Sequence, residues 1–447
     1  MKKALMYTLL AGIIVLLICL YVAGKKLKEG YLARMDSLPE QPGITLNNVS
    51  YEQGWFKSHV VTQVDLDLEQ LSNKPELADV PVSFLVKSEF SHGPLMFTHA
   101  GVRFGLGYGH ITLTPPENSA QDSLLGWLAE APIEIRSIVY FDQRSQTEME
   151  FAAYESDNGD EHRRLGGASI SVTANSDMTH FESSMVIQPS SIVGPTATFS
   201  MDESSGSMSY SGSSPYTLVG ETVFDFNQIA VVDDQLSVSV ESLKLNGGSQ
   251  QNGDAMDFFQ TLEFENVQAP IPVTAGKWHF ELNAVPVAAI ELWADLADEI
   301  EQFSDTDPQA GAAFQAKVQQ LSDAIEPGLN LMNRVDLAAM GANHEFSFSF
   351  TYGGLPQQGN VFQMDDPLLL LQVFTGSVLV KLNEQAMMNS PFGPMISPYV
   401  QQGLLIPVEE DLVLDASLKD GELVVNGNLI PVAEMLQAAA EESAAQP

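Results

Sequence analysis

The sequence predicts a β-rich α+β protein. An N-terminal transmembrane helix should precede a large curved antiparallel β-sheet body with an inserted helical hairpin and a C-terminal α+β region. Residues 4–24 form one uncharged apolar run. Most of the later chain alternates apolar and polar residues, as strands with one buried face do. A stretch after Pro286 repeats apolar residues every three or four positions instead, which indicates amphipathic helices.

These patterns predict four regions in a chain of 447 residues, which is long enough to bury a substantial core. The first is a cytoplasmic stub and transmembrane signal anchor, and the second is a β-rich exported region. The third is the helical hairpin, and the fourth is a strand and helix region that closes the β body. Their predicted bounds are 1–28, 29–283, 284–340 and 341–447.

The N-terminal run predicts an uncleaved membrane anchor. At about 1.5 Å rise per residue it spans the roughly 30 Å of a bilayer core. Lys25 and Lys26 follow it where a cleaved signal peptide would show a small-x-small site. Cys19, the only cysteine, lies inside the run, so the exported part has no disulfide. Positive charge flanks both ends, and we choose the N-terminus inside because long domains are exported largely regardless of charge.

The charge balance excludes a class of partners. The chain has 58 acidic and 20 basic residues and a net charge of -38. Such a chain repels phosphate backbones, so we expect no nucleic-acid partner. We interpret the acidity as a contribution to solubility.

Strands are predicted from about residue 44 to residue 283 by alternating runs at 61–68, 133–140, 170–172 and 236–245. The last run is expected to end in a turn at Asn246-Gly247-Gly248. The serine-rich stretch 204–214 is expected to be an exposed hairpin or loop. Gly105, Gly107 and Gly109 leave one face of a strand bare, which favours sheet curvature.

Two helices are predicted next. The apolar residues Ile290, Trp293 and Leu296 recur at helical spacing, and Asp307-Pro308 is a typical helix start. A second helix should end near Pro327-Gly328. We expect this hairpin to lay its apolar stripe on the sheet, with dimerisation or a membrane-surface role as the alternatives.

The last third returns to strands. Phe346, Phe348 and Phe350 alternate with polar residues, and Asp420-Gly421 lies between two apolar runs, a strong signal for a two-residue hairpin turn. A short helix is expected at 432–440.

Three short motifs carry a resemblance: Tyr51–Ser58 (YEQGWFKS), Ser91–Leu95 (SHGPL) and Asp420–Gly427 (DGELVVNG). Together with the anchor and the length, they resemble the YdgA/YihF-like family of bacterial envelope proteins of unknown function. Gln53 and Lys57 depart from the pattern expected there. The resemblance implies a single-pass protein of the Gram-negative inner membrane with its large domain in the periplasm, and it supplies no catalytic residues.

The first two motifs supply the candidate recognition or structural residues, which are Tyr51, Gly54, Trp55, Phe56, His92, Gly93 and Pro94. Gly54 should form a tight turn that swings Trp55 and Phe56 onto the first sheet, where their burial would stabilise the fold. His92-Gly93-Pro94 should form a turn in which His92 caps backbone groups.

No sequence motif indicates catalysis, a cofactor or a metal. The eight histidines include no pair at i, i+4 spacing, and neither a nucleophile elbow nor a phosphate-binding loop occurs. The acidic residues around Gly159 lack EF-hand spacing, so a solvated turn is the preferred interpretation.

Three hypotheses for function stay open. The first is a non-enzymatic envelope protein that binds a lipid-like ligand or a protein partner along the curved sheet. The second is an envelope hydrolase whose active site forms only in three dimensions. The third is a structural protein that assembles with copies of itself.

Overall fold

The computed structural model describes residues 43–72, 81–98, 101–115, 130–157, 159–233, 237–269, 273–300, 308–355 and 371–432, with Lys25, Lys28, Glu29, and Glu434 as single residues. Within these ranges no helix is long and apolar enough to cross a membrane. The predicted anchor at 4–24 lies outside the described residues. The predicted helix at 432–440 lies almost entirely outside them as well.

The structure is mostly β-sheet with few helices, and its main sheet is large and antiparallel, as predicted. The chain divides into two compact units. Unit 1 comprises residues 1–195 and 203–207, and unit 2 comprises 196–202 and 208–447. The four predicted regions stay a prediction.

Unit 1 is built on a meander in which β1, β2, β3, β6, β7, β8, β11 and β12 pair in that order, each antiparallel to the next. The β4–β5 hairpin lies between β3 and β6 in sequence, and β9, β10 and β13 pair separately. The elements are β1 (Ile44–Gln53), β2 (Lys57–Asp67), α1 (Leu68–Ser72), β3 (Pro81–His92), β4 (Leu95–Thr98), β5 (Gly101–Phe104), β6 (Gly107–Thr114), β7 (Ile133–Val139), β8 (Ser145–Phe151), β9 (Tyr154–Asp157), β10 (His162–Leu165), β11 (Ala168–Ala174), β12 (His180–Ile187) and β13 (Ser190–Val193).

Unit 2 has a meander of its own, in which β16, β19, β20, β21, β22, β23, β24 and β26 pair in that order, and β26 also pairs with β25 and β27. β14, β17 and β18 pair separately, and β28 pairs with β27. The strands are β14 (Ala197–Met201), β15 (Ser204–Gly212, which begins in unit 1), β16 (Leu218–Phe226), β17 (Ile229–Asp233), β18 (Ser237–Val240), β19 (Ser242–Asn252), β20 (Ala255–Glu265), β21 (Val273–Pro286), β22 (Asn330–Ala339), β23 (Ala342–Tyr352), β24 (Phe374–Asn383), β25 (Ile406–Val408), β26 (Asp411–Lys419), β27 (Glu422–Val425) and β28 (Asn428–Ile430). The helices are α2 (Val287–Ile300), α3 (Pro308–Ala324), α4 (Glu384–Met388) and α5 (Gly393–Gln401).

The Asp420-Gly421 hairpin is confirmed. Lys419 pairs with Glu422, so the loop has two residues, and both have positive φ, 52° and 82°. Two positive φ values define the type I′ turn that matches the twist of a hairpin. Asn426-Gly427, with φ of 50° and 79°, forms a second turn of the same kind between β27 and β28.

The predicted turn at Asn246-Gly247-Gly248 is wrong, because β19 runs through it to Asn252. A Cβ on Gly248 would lie 2.6 Å from the Gly220 carbonyl oxygen and 2.8 Å from the Phe259 ring. Glycine is therefore required there by the close approach of neighbouring strands, and not by a turn. The serine-rich stretch was expected to be an exposed hairpin or loop, and it forms β15 over Ser204–Gly212, where alternate residues are exposed and Ser204 is buried. The Tyr210 hydroxyl lies 2.8 Å from the Thr222 hydroxyl of β16, so the two strands are neighbours, as in a hairpin.

The two helices begin and end close to the predicted positions, but their apolar stripes pack on each other. The buried cluster consists of Ala289, Leu296 and Leu321, and the apolar side chains around it also belong to α2 and α3. The expectation that this hairpin lays its stripe on the sheet is wrong for the described side chains. The apolar stripes of the two helices face each other and bury each other's side chains.

Candidate functional site

The first two sequence motifs meet at one end of unit 1. The β1–β2 turn closes with a hydrogen bond from the Gly54 amide to the Lys57 carbonyl, 2.7 Å. A second bond, of 2.9 Å, runs from the His92 amide to the Phe56 carbonyl and joins this turn to the end of β3. Sequence reasoning identified both segments, and the pairing of β2 with β3 brings them together.

Gly93 lies where this end is most crowded. A Cβ on it would lie 2.0 Å from the Gly105 carbonyl oxygen and 2.7 Å from that of Leu106. Its amide donates to the Leu106 carbonyl at 3.0 Å, and the Leu106 amide donates to the Val139 carbonyl at 2.7 Å. The connections that follow β1, β3 and β7 are thus tied together through their backbones.

His92 makes a buried contact that the sequence did not predict. Its Nε2 lies 3.0 Å from the Ser58 Oγ, and its Nδ1 lies 3.4 Å from the Trp55 carbonyl oxygen. Burial lowers the pKa of His92, and the bond to the Trp55 carbonyl opposes this more weakly. A neutral imidazole with its proton on Nδ1 donates to Trp55 and accepts from the Ser58 hydroxyl. The contact with the Trp55 carbonyl agrees with the predicted role of His92 in binding backbone groups.

The Ser58–His92 pair does not form a hydrolase site. The third group is a backbone carbonyl in place of a carboxylate, so no anion stabilises a protonated imidazole. Ser58 has 0% of its surface exposed, so its hydroxyl cannot reach a substrate. No group of three or more His, Cys, Asp or Glu side chains suited to a metal occurs in the part of the chain that the structure describes.

Trp55 and Phe56 lie on the surface, contrary to the prediction that they pack on the first sheet. Trp55 exposes 56% of its surface, and Phe56 is exposed too. The last paired row of β1 and β2 joins Gln53 to Ser58, so both rings lie beyond the strands that would have covered them.

Other exposed apolar side chains share this end of the meander. They lie on the β4–β5 hairpin, in its connection to β6, and in the β7–β8 turn. We define the apolar tip as Trp55, Phe56, Phe97, Val102, Phe104, Leu106 and Phe141.

A second apolar surface lies on the sheet of unit 2. Cross-strand register aligns one apolar side chain from each of eight successive strands into a single row. None of the eight is fully buried, and Phe346 exposes 39% of its surface. We call it the apolar row, and its members are Phe224, Leu245, Leu262, Trp278, Val335, Phe346, Val380 and Leu414.

The opposite face of the same strands is charged. Its aligned residues are Asp225, Lys244, Glu263, Lys277, Asp336, Glu345 and Lys381. Lys277 Nζ lies 2.5 Å from Glu263 Oε1, and Lys244 Nζ lies 3.8 Å from Asp225 Oδ1. This charged row identifies the solvent side, so the apolar row lies on the face suited to an apolar environment.

Unit 1 repeats the arrangement on a smaller scale. One row aligns half-buried Ile111, Ile135, Met149, Ile170 and Met185 across five strands. The neighbouring row on the other face carries His110, Arg136 and Glu148. Alternation within each strand was visible in the sequence, but the assembly of rows depends on register, which a single sequence does not specify.

A protein-family model described as "Bacterial protein of unknown function (DUF945)" matches residues 1–433. Neither the curated proteins nor the solved structures contain a match to the chain. The matched range includes residues of both units.

Proposed function

The chain belongs to the DUF945 family of bacterial proteins of unknown function, and we propose that it is a non-enzymatic, membrane-tethered envelope protein that binds a lipid-like ligand along the apolar face of its sheet. Within that family we place it among the YdgA/YihF-like proteins. The proposed location is the inner membrane, with a single N-terminal span and the large domain in the periplasm. The predicted span at 4–24 supports the tether.

The observation that carries the proposal is the apolar row of unit 2. Leu414, at one end of the row, packs against the buried cluster of Ile396, Leu405 and Leu412, so seven strands carry its open part. Adjacent strands lie about 4.8 Å apart, so this part is roughly 29 Å long. The hydrocarbon of both leaflets of a bilayer is about 30 Å thick, so the row is long enough for an acyl chain. Each methylene group buried against it contributes about 0.8 kcal/mol. An acyl chain is therefore a better occupant of this face than a polar or charged ligand.

The position of the exposed phenylalanines supports the same occupant. Phe346 and Phe350 both belong to β23, an internal strand that is paired on both sides. Their rings are 5.8 Å and 5.7 Å from the ring of Phe348 between them, measured between centroids. Large apolar side chains in the middle of a sheet are normally covered by other parts of the protein or by a ligand. An exposed apolar patch of this kind therefore marks a binding surface.

Native mass spectrometry of the full chain in mild detergent tests the proposal. We expect a co-purifying lipid, and we expect Phe346→Gln to reduce the bound fraction. Removing one aromatic contact of about 1.5–3 kcal/mol weakens binding by one to two orders of magnitude. Ser347→Gln is the matched control, because it places the same side chain on the neighbouring residue of the opposite face.

The outcomes separate the hypotheses for function. Lipid lost from Phe346→Gln and retained by Ser347→Gln supports the proposal. Equal lipid content in both variants, or no lipid at all, contradicts it. A co-purifying protein in place of lipid favours the protein-partner alternative, and an additional copy of the chain favours self-assembly.

A further inference from the structure

We infer that the apolar tip of unit 1 docks into the surface of the same bilayer that the predicted anchor spans. The inference rests on the proposed membrane tether but not on ligand binding by the apolar row. Its occupant is the interfacial layer of a lipid bilayer, where Trp and Phe side chains partition favourably.

The composition of the tip supports a lipid surface. The segment 93–107 contains no acidic residue, and Arg103 is its only Lys or Arg. The whole chain has 58 acidic residues among 447, so about two would be expected in a segment of this length. The body of the protein is repelled by anionic lipid, while the segment 93–107 presents apolar groups and the exposed guanidinium of Arg103. In the β7–β8 turn, the exposed charges of Asp142 and Arg144 form an ion pair of 2.8 Å beside Phe141.

The shape of the tip also fits insertion. Its side chains extend from turns and from the short β4–β5 hairpin, so they can enter a lipid layer while the long strands of the meander stay in water. Phe104, at the end of β5, exposes 66% of its surface. The backbone bonds from His92 to Phe56 and from Leu106 to Val139 hold the connections together, so the apolar groups can enter the membrane as one unit.

The position of Lys28 places this end of unit 1 near the predicted membrane span. The Lys28 Nζ lies 5.3 Å from the centre of the Tyr51 ring, a cation–π distance. Tyr51 is two residues from the end of β1, on the side of the tip. The predicted span ends at Gly24, and four residues cover at most about 14 Å. The chain therefore leaves the bilayer close to the apolar tip.

Fluorescence of the full chain in proteoliposomes tests the docking. Replacing Cys19 with Ser removes the only cysteine. A single cysteine at Phe104→Cys then carries an NBD label in vesicles of phosphatidylcholine and phosphatidylglycerol. The control is Val193→Cys, an exposed apolar position at the end of β13, a strand that follows the opposite end of the meander.

We expect the label at 104 to show blue-shifted emission and to lose emission when the vesicles contain headgroup-proximal spin-labelled lipid. The label at 193 should show neither effect. Equal emission and quenching at the two positions overturns the inference. A blue shift at 104 without lipid quenching assigns the tip to a protein contact and also overturns it.

Carbonate extraction of the same vesicles distinguishes failure of the tether from failure of the docking. If carbonate releases the protein, the tether is wrong and the docking fails with it. If the protein resists extraction while the label at 104 is not quenched, only the docking is wrong. Neither readout depends on Phe346, so lipid binding by the apolar row is tested separately.

Discussion

Ser58 and His92 fasten the β1–β2 turn to the end of β3. Removing either side chain would leave the other with an unsatisfied polar group, and such a group costs about 1–3 kcal/mol when buried. Ser58 is fully buried on β2, and His92 is nearly so at the end of β3. The pair therefore fixes the backbone from which Trp55 and Phe56 extend. Its role at the tip is to hold these residues in position.

The buried imidazole makes stability depend on pH in a defined window. Burial holds the pKa of His92 below its ordinary value of 6.5. As the pH falls below about 6.5, His92 becomes protonated in the unfolded chain while it is still neutral in the folded chain. The free energy of unfolding therefore has its full value above that pH and declines below it. We expect thermal unfolding between pH 7 and pH 5 to show a larger loss of Tm in the wild type than in His92→Gln.

His180→Gln is the control for this measurement, because the His180 side chain is 42% exposed. At pH 7 it should leave Tm unchanged, because an exposed side chain adds little to stability. An identical decline in wild type and His92→Gln would mean that the buried imidazole does not couple to folding. Carboxyl groups with lowered pKa, such as Glu281, titrate at lower pH and stay outside this window.

The strands show what a period-two pattern can and cannot specify. Phe346, Phe348 and Phe350 were assigned to one strand from spacing alone, and β23 contains all three. Asn246-Gly247-Gly248 has the composition of a turn, yet it lies inside β19 because close packing against β16 and β20 also requires glycine. Composition identifies where glycine is needed, and only tertiary packing decides between a turn and a close approach.

The stability of the α2–α3 hairpin should depend on the apolar cluster that its two helices share. Leu321 lies in the cluster shared by the two helices and is 5% exposed. Leu321→Ala should destabilise the hairpin by about 2–5 kcal/mol through lost burial and a residual cavity. Hydrogen–deuterium exchange should accelerate in α2 and α3 and stay unchanged in β22 and β23.

Gln320→Ala is the control, because this side chain lies on the exposed side of α3, next to Leu321. Its effect should stay within about 0.5 kcal/mol, as for surface substitutions in general. Faster exchange of β22 in Leu321→Ala would show that the hairpin supports the sheet after all, as the sequence had suggested.

At the scale of the whole molecule, a strand-rich chain with one apolar and one polar face was predictable from alternation and composition. The candidate surfaces were predictable only in part. The motif residues at 51–56 and 92–94 were recognised, but their exposure follows from the end of pairing at Gln53 and Ser58. The apolar row was not recognised, because its eight members lie between residues 224 and 414 and meet only through register.

The net charge of the chain should make its thermal stability depend on salt. A charge of -38 repels itself within the folded chain, and this repulsion falls as salt shortens the Debye length from about 30 Å at 0.01 M to about 3 Å at 1 M. Salt also weakens the ion pairs of the charged row, but exposed pairs contribute only about 0–1 kcal/mol each. The excess of acidic residues, 58 against 20, makes the relief of repulsion the larger effect. We therefore expect Tm to rise with NaCl, by roughly 2–4 °C for each kcal/mol of repulsion removed. Choline chloride at equal ionic strength should give the same rise, since screening does not depend on which cation is present. A falling Tm would show that attractive pairs dominate, and a rise with sodium alone would show specific cation binding in place of screening.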